Sequence, residues 1–325
     1  MNKEFKHNLD KAIKQINLSN KIYIASHINP DGDNIGSTLA LTMALKKIHK
    51  KVIPLLPGEI PRDYRFLPGL NLYEDYRKDL ESVELFIVLD SGDEDRLGKN
   101  KALLEISKNI LNIDHHVSNT NFGDINLVHE KMSSTGEIIY HLIKGLHIEI
   151  DPDIATCLYT AISTDTGSFL YDNVTADTHE IIADLIRVGI DKANINIELY
   201  GSRSLEKTEL FIQVLSTLKL YNDNKIAIVH VTKKMLEETG TVLDDTEGII
   251  SFVREIEPVE VACILKESEE KKTKISMRSK KYIDVSAIAS NFQGGGHIRA
   301  AGGTIYEDIS KAESIVVNKI KEYFR

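Results

Sequence analysis

The sequence predicts an α/β protein with two domains: a larger N-terminal domain built on a doubly wound, mainly parallel sheet, and a smaller C-terminal α/β domain. Three observations support this prediction. The first 190 residues alternate short apolar segments with helical ones, the apolar segments hold few polar residues, and a new series of strand-like segments begins after about residue 222. Continuous apolar runs are typical of parallel strands covered by helices on both faces. The 325 residues suffice for two separate cores.

Four segments of the N-terminal half have the composition of buried strands. They are 21–26, 51–56, 84–90 and 109–114. Apolar residues near one face predict a helix from Ile35 to Ile48. Ser134 and Glu137 have the spacing of a capping box before a helix that runs to Gly145. Further helices are predicted at 152–163 and 175–188.

The remaining chain divides into a helical linker and a second domain. Residues 191–222 carry few strand signals, and the turn-rich segment at their end precedes a strand at 225–231. The elements predicted after it are strands near 259–266 and 273–279, a short helix near 284–290, a glycine-rich turn, a strand at 302–306 and a C-terminal helix. We therefore predict a first domain at 1–190, a linker at 191–222 and a second domain at 223–325.

The composition excludes several classes of protein. A net charge of −9 argues against a protein that coats long DNA or RNA, because such proteins usually need a basic surface. No apolar run approaches the roughly 18 residues of a membrane span, and the charged N-terminus lacks an apolar signal core. We expect a cytoplasmic protein without membrane attachment. The oligomeric state stays open, with a homodimer among the options.

Asp and His residues recur where predicted elements end. They lie in segments 27–33, 88–93, 112–116 and 164–167, three of them after strands and the last after a helix. The carboxyl ends of strands form the ligand-binding edge of an open α/β sheet, so we expect these segments to converge. Taken singly, each segment has a simpler explanation, because Asp-Gly-Asp is ordinary turn chemistry and Asp90 could cap a helix.

The residue types in these segments indicate a metal centre. Asp and His without Cys suit Mn²⁺ or Mg²⁺ better than structural Zn²⁺. A pair of such cations is suited to in-line displacement at phosphorus. Gly32 and Gly92 are expected to permit tight turns close to the metals or the phosphate.

In these motifs the sequence resembles the DHH–DHHA1 phosphoesterase superfamily, which is named for an Asp-His-His that lies here at 114–116. The resemblance covers nearly the whole chain. The motifs that carry it are 27–33, 88–93, 112–116, 161–173 and 292–303. Within the superfamily the chain is most similar to the short nano-RNase/pAp-phosphatase group. The resemblance implies a catalytic DHH domain at 1–190 and a substrate-binding DHHA1 domain at 223–325.

The resemblance also implies a role for each residue of the N-terminal motifs. One of two divalent cations, Mn²⁺ in preference to Mg²⁺, would be held by His27, Asp31 and Asp90. The other would be held by Asp33, Asp90, His115 and Asp165, so that Asp90 bridges the pair. His116 would face the scissile phosphate as a catalytic residue, and Asp114 would fix a histidine ring.

The second domain contains a glycine cluster and a basic segment. Gly294, Gly295 and Gly296 could form an anion-binding nest to which His297 and Arg299 add charge, or they could simply form a turn before a strand. The resemblance favours the first reading and adds Arg278 as a substrate-facing arginine. Residues 266–281 hold seven Lys/Arg against three Glu, which is also what a solvated edge hairpin would contain.

The Asp/His cluster predicts a metal-dependent phosphoesterase, and the resemblance implies hydrolysis of short RNA or DNA oligonucleotides to nucleoside monophosphates together with dephosphorylation of pAp. We expect substrate to contact both domains at once, which would favour short chains. A phosphodiesterase acting on linear pApA in the cyclic-di-AMP pathway is the main alternative. A manganese pyrophosphatase, a longer RecJ-type exonuclease and an inactive nucleotide-binding regulator are further alternatives.

Overall fold

The computed structural model describes residues 3–76 and 81–324. The chain forms two compact units, Met1–Ser202 and Arg203–Arg325. Each unit has its own sheet and its own core. The predicted α/β class and the two sheets are confirmed.

The sheet of the first unit is five-stranded, with every neighbouring pair parallel. Its strands are β1 (Lys21–Ser26), β2 (Lys51–Pro54), β3 (Leu85–Leu89), β4 (Ile110–Asp114) and β5 (Ile125–Val128). The spatial order β2-β1-β3-β4-β5 reverses direction between β1 and β3. Ligands of open α/β sheets bind at such a switch point, outside the carboxyl ends of the strands. Strand β5 was not predicted. It is a four-residue edge strand, and three of its four residues are half-buried, so it lacks the continuous apolar run of the other strands.

Helices cover this sheet on both faces, as a doubly wound fold requires. They are α1 (Lys3–Leu18), α2 (Gly32–Lys47), α3 (Leu103–Ile106), α4 (Thr135–Gly145), α5 (Pro152–Asp165), α6 (Ala176–Val188) and α7 (Lys192–Asn196). The larger core packs α1, α2, α4, α5 and α6 against one face. The predicted capping box of α4 is half correct. Ser134 Oγ accepts from the Glu137 N–H, but the Glu137 carboxylate accepts from the N–H and hydroxyl of Ser133.

The second unit is built on a six-stranded mixed sheet. Its strands are β6 (Lys219–Tyr221), β7 (Ile226–Val231), β8 (Val261–Glu269), β9 (Lys272–Ser279), β10 (Gly295–His297) and β11 (Ala300–Ile305). Their order is β10-β11-β9-β8-β7-β6. The helices are α8 (Leu205–Ser216), α9 (Lys233–Thr239), α10 (Ile249–Glu255), α11 (Val285–Ala289) and α12 (Ile309–Lys321). One core packs α11 and α12 on one face, and a second core packs α8 and α10 on the other.

The residues predicted as a linker, 191–222, belong to ordered elements of the two units. Ile195 of α7 is buried in the first core, while Leu210 and Val214 of α8 are fully buried in the second unit. Helix α8 is amphipathic, and burial of its apolar side chains holds it against β7.

Two expectations for the second unit need correction. The basic segment 266–281 is not an edge hairpin, because β8 and β9 lie in the middle of the six-stranded sheet. The glycine cluster is not a simple turn, because residues 295–297 form the edge strand β10 paired with β11. A side chain at Gly294 would collide with the backbone of Gly302, so that glycine is required by close approach of two backbones.

Candidate active site

The first site segment connects β1 to α2. His27 is 2 % exposed, and its Nδ1 lies 2.8 Å from the Ile28 carbonyl oxygen, to which it donates. This contact turns Nε2 towards Asp90, whose Oδ2 is 3.2 Å away. Asp31 caps α2 by accepting from the Asn34 N–H at 3.0 Å. A neutral His27 therefore presents an unprotonated ring nitrogen beside two carboxylates.

Asp33 lies in the first turn of α2 and is 1 % exposed. Its carboxylate accepts from the backbone N–H groups of Thr135 (2.6 Å) and Gly136 (2.8 Å), which begin α4. The Ser37 hydroxyl donates to it as well, at 2.9 Å. Free N–H groups at a helix N-terminus stabilise an anion, so α4 fixes this carboxylate in place.

Asp90 follows β3 in a left-handed conformation with φ 54°. It is 2 % exposed, and its N–H donates to the Ile113 carbonyl of the neighbouring strand. One carboxylate oxygen faces His27, and the other accepts from the Thr135 hydroxyl at 3.1 Å. A non-glycine residue with positive φ usually marks a turn or a functional constraint. Here the conformation aims Asp90 at the centre of the cluster.

The motif after β4 supplies two histidines with different partners. His115 Nε2 lies 3.2 Å from Asp165 Oδ2, 3.8 Å from Asp90 Oδ1 and 3.9 Å from Asp33 Oδ2. His116 Nδ1 lies 2.7 Å from Oδ1 of the fully buried Asp114. His115 therefore faces the carboxylate cluster, whereas Asp114 holds His116.

Within residues 3–76 and 81–324, three sets of side chains place their ligand atoms within 4.8 Å of one another. They are His27, Asp31 and Asp90; Asp33, His115 and Asp165; and Asp90, His115 and His116. Asp90 and His115 each occur in two sets. The structure thus brings together all the residues for which the sequence predicted metal ligation, and it places His116 beside them.

The carboxylates of this cluster repel one another in the absence of cations. Burial raises the pKa of Asp33 well above its usual value, and the charges of Asp90 and Asp165 raise it further. Burial likewise raises the pKa of Asp165 to about 7, with His115 opposing the shift. Burial also opposes ionisation of Asp90, but His27 and the other histidines outweigh it and lower that pKa to about 2. Divalent cations would relieve this repulsion, and oxygen with imidazole donors suits Mn²⁺ or Mg²⁺. The residues present fit such ions.

The same shifts predict how metal-free protein responds to pH. Asp165 keeps its proton in the fold up to about pH 7 but releases it near pH 4 when unfolded, so stability falls as pH rises between these values. His116, with a pKa near 9, acts in the same direction at higher pH. We expect the melting temperature in EDTA to fall between about pH 5 and about pH 8, and Mn²⁺ to raise it more at the higher pH. Equal stabilisation by Mn²⁺ at both pH values would contradict binding at this cluster.

The sequence did not reveal several residues of the site. Thr135 contacts both Asp33 and Asp90, and its place at the start of a capped helix was the available signal. Asn119 donates to Asp114 Oδ2 at 2.6 Å. It therefore orients the same carboxylate that forms the hydrogen bond with His116. The expectation for Gly32 was wrong, because Gly32 is helical and a side chain there would collide with Thr164.

The predicted substrate residues of the second unit lie on β9, β10 and the connection to β11. His297 and Arg278 both pair with Ala300 of β11, so the three residues are in register across the sheet. Arg278 donates to the Met277 carbonyl at 3.1 Å, and Arg299 donates to the Ile283 carbonyl at 2.9 Å. Gly295 has open space around its α-carbon, and Gly296 has φ 140°. The binding roles of these residues remain predictions.

A carboxylate and histidine cluster at the switch point of a doubly wound sheet defines a candidate metal-dependent hydrolase. Comparison with known proteins agrees with this class. Residues 21–162 match the model of the DHH family N-terminal domain, and residues 223–325 match that of the DHHA1 domain. The chain therefore belongs to the DHH–DHHA1 phosphoesterase family.

The relatives resemble this chain over most of its length. A Thermus thermophilus protein named bifunctional oligoribonuclease and PAP phosphatase NrnA is 32% identical over 302 residues, covering 93% of this chain and 89% of its own. A Bacillus subtilis protein of the same name is 27% identical, covering 91% and 93%. The crystal structure of an exopolyphosphatase-related protein from Bacteroides fragilis is 30% identical, with a TM-score of 0.91 and coverage of 98% and 96%. Among the described residues, no helix has both the length and the hydrophobicity needed to cross a bilayer.

Proposed function

We propose that the chain hydrolyses short oligonucleotides to nucleoside monophosphates and removes a phosphate from pAp. The names of the relatives support this substrate class, and the Asp/His cluster at the β1/β3 switch point is the observation that supports the chemistry. We further propose Mn²⁺ as the preferred metal, with Mg²⁺ as the alternative. Cys157 and Cys263 are buried thiols that form no disulfide bond, as is usual for proteins of a reducing compartment. We propose the cytoplasm as the location.

The geometry supports two metal positions with different ligands. His27, Asp31 and Asp90 would hold one cation, and Asp33, Asp90, His115 and Asp165 the other. When bound, such cations polarise a phosphoryl oxygen and lower the pKa of water. The backbone N–H groups at the start of α4 and the hydroxyl of Thr135 keep Asp33 and Asp90 oriented towards them.

His116 is the residue that we propose to hold the proton for the leaving oxygen. The hydrogen bond with Asp114 occupies Nδ1 and raises the pKa of His116 to about 9, so the ring is protonated at neutral pH. Nε2 then remains to donate. A cavity of about 360 Å³ adjoins His116, with Asn121 and His129 also in its lining. This cavity could accommodate the leaving part of a substrate.

The second unit would bind the nucleotide end of the substrate. His297, Arg278 and Arg299 are the proposed cationic contacts, and Gly294, Gly295 and Gly296 are the proposed backbone contacts. Charge-assisted hydrogen bonds of this kind contribute about 1.5–3 kcal/mol each.

A substrate panel tests the proposal. We expect turnover of pAp, pApA and a five-residue RNA with Mn²⁺, no turnover of pyrophosphate, and complete loss of activity in EDTA. We also expect kcat/KM to fall on a 20-residue RNA. Hydrolysis of pApA alone would favour the alternative function in cyclic-dinucleotide breakdown. Turnover of pyrophosphate in place of the nucleotides would overturn the assignment.

A further inference from the structure

The basic side chains of segment 266–281 in the second unit have different surroundings. Lys272 pairs with Glu269 at 2.7 Å, and Lys280 donates to the carbonyl oxygens of Ile256 and Glu257. The ammonium groups of four lysines have no hydrogen bond or ion pair with any residue that the structure describes: Lys266, which is half-buried, and Lys271, Lys274 and Lys281, which are exposed. Of these four, Lys266 and Lys274 differ from Lys271 and Lys281 because they line a cavity.

Lys266 and Lys274 lie directly opposite each other on the antiparallel strands β8 and β9. Opposite residues of such strands share a face, with Cα atoms about 4.5–5.5 Å apart. Ile264, two residues before Lys266, belongs to the core that α8 and α10 cover, so the lysines lie on that same face of the sheet. Both strands are internal to the sheet; the side chain of Lys266 is half-buried there, and that of Lys274 is exposed.

The two lysines line a cavity of about 400 Å³. Its lining also includes Ser276, the backbone of Gly294, and Gly302 and Gly303 of β11. A Cβ at Gly302 would lie 2.9 Å from the Ile275 carbonyl oxygen, so the backbone of the two strands requires glycine at this point of the lining. The lining of the cavity thus combines two lysine side chains with glycine backbone.

The electrostatics of Lys266 agree with an anionic occupant. Burial lowers the pKa of Lys266, and the like charges of Arg278 and Lys274 lower it further. Asp244, which also lines the cavity, and Glu247 oppose this shift but do not outweigh it. A bound anion would add to the counter-charge that Asp244 and Glu247 supply.

We propose that Lys266 and Lys274 form a second phosphate subsite, which takes a further phosphate of the oligonucleotide held at β10. This inference rests on the proposed function and adds to it a contact with a second phosphate. Arg278 stands four residues from Lys274 on β9, about 13 Å along the strand. The arginine and the lysine pair can thus contact different phosphates of one bound chain.

The test is binding in EDTA, measured by calorimetry on the full chain, so that catalysis does not enter. We expect Lys266→Gln and Lys274→Gln each to weaken pApA binding about tenfold or more, and AMP binding much less. Lys266→Arg should retain most of the affinity because it retains the charge. Lys311→Gln is the matched control, since α12 packs on the opposite face of the sheet and this lysine is exposed. Melting temperatures establish that each variant is folded.

Each other outcome overturns the subsite. Equal losses for AMP and pApA would assign the lysines to the first phosphate, and unchanged affinity for both would leave the cavity without this role. Titration with inorganic phosphate, measured in the same way, distinguishes a third outcome from these two. If the variants lose phosphate binding but keep pApA binding, the cavity takes a free anion and not the substrate. Mn²⁺ titration of the same variants should match the unaltered chain. A chain that binds no Mn²⁺ would instead refute the proposed function.

Discussion

Replacing Asp90 with Asn is expected to reduce turnover by more than about 1,000-fold while leaving the fold intact. Asp90 is buried among His27, His115 and Thr135, and its ligand atoms belong to two of the three potential metal sets. The amide has nearly the same shape but lacks the charge that two cations would share. Loss of one preorganised electrostatic element costs about 100- to 1,000-fold in kcat, and loss of a metal should cost more.

The measurement is kcat/KM on pApA at saturating Mn²⁺, with Mn²⁺ stoichiometry determined on the same sample. Asp93→Asn is the matched control, because Asp93 lies three residues later in the same loop and caps the Arg96 N–H, which Asn also does. The control should behave as the unaltered chain. If folded Asp90→Asn retained more than about a tenth of the rate, the shared-ligand role would be wrong.

Replacing His116 with Gln should lower kcat on pApA by about 100- to 10,000-fold, the range of general acid catalysis. The loss should be much smaller on bis-p-nitrophenyl phosphate, because p-nitrophenolate leaves without a proton. Equal losses on the two substrates would show that His116 does not act as the acid.

A second variant checks the same assignment through pH. The hydrogen bond to Asp114 is the main cause of the raised pKa of His116. In Asp114→Asn that cause is removed, so the alkaline limb of the rate–pH profile should move to lower pH. An unchanged alkaline limb would mean that another group carries the proton.

The sequence alone determined the fold class and most of the elements of both units. The apolar strands β1, β3 and β4 and the capped helices α4, α5 and α6 have strong local signals, and the structure contains all of them. The short edge strands β5 and β10 were missed, because only pairing with β4 and β11 makes them strands. Local sequence specifies an element poorly when a partner strand supplies its stability.

The candidate ligands were also predictable, since Asp and His at successive strand ends must meet at one edge of a parallel sheet. The sequence could not give their orientation. Asp33 is held by Thr135 and Gly136, about a hundred residues away in the chain, and the N–H of Asp90 donates to Ile113 of the neighbouring strand. The hydrogen bond from Asn119 to Asp114 is local but requires the fold of the loop after β4. Likewise, the composition of segment 266–281 suggested a solvated edge hairpin, and only the tertiary structure shows that its strands are central in the sheet and that Lys266 and Lys274 line one cavity. Residue type sets which chemistry is available, whereas burial and partners, which the tertiary structure decides, set which groups carry it out.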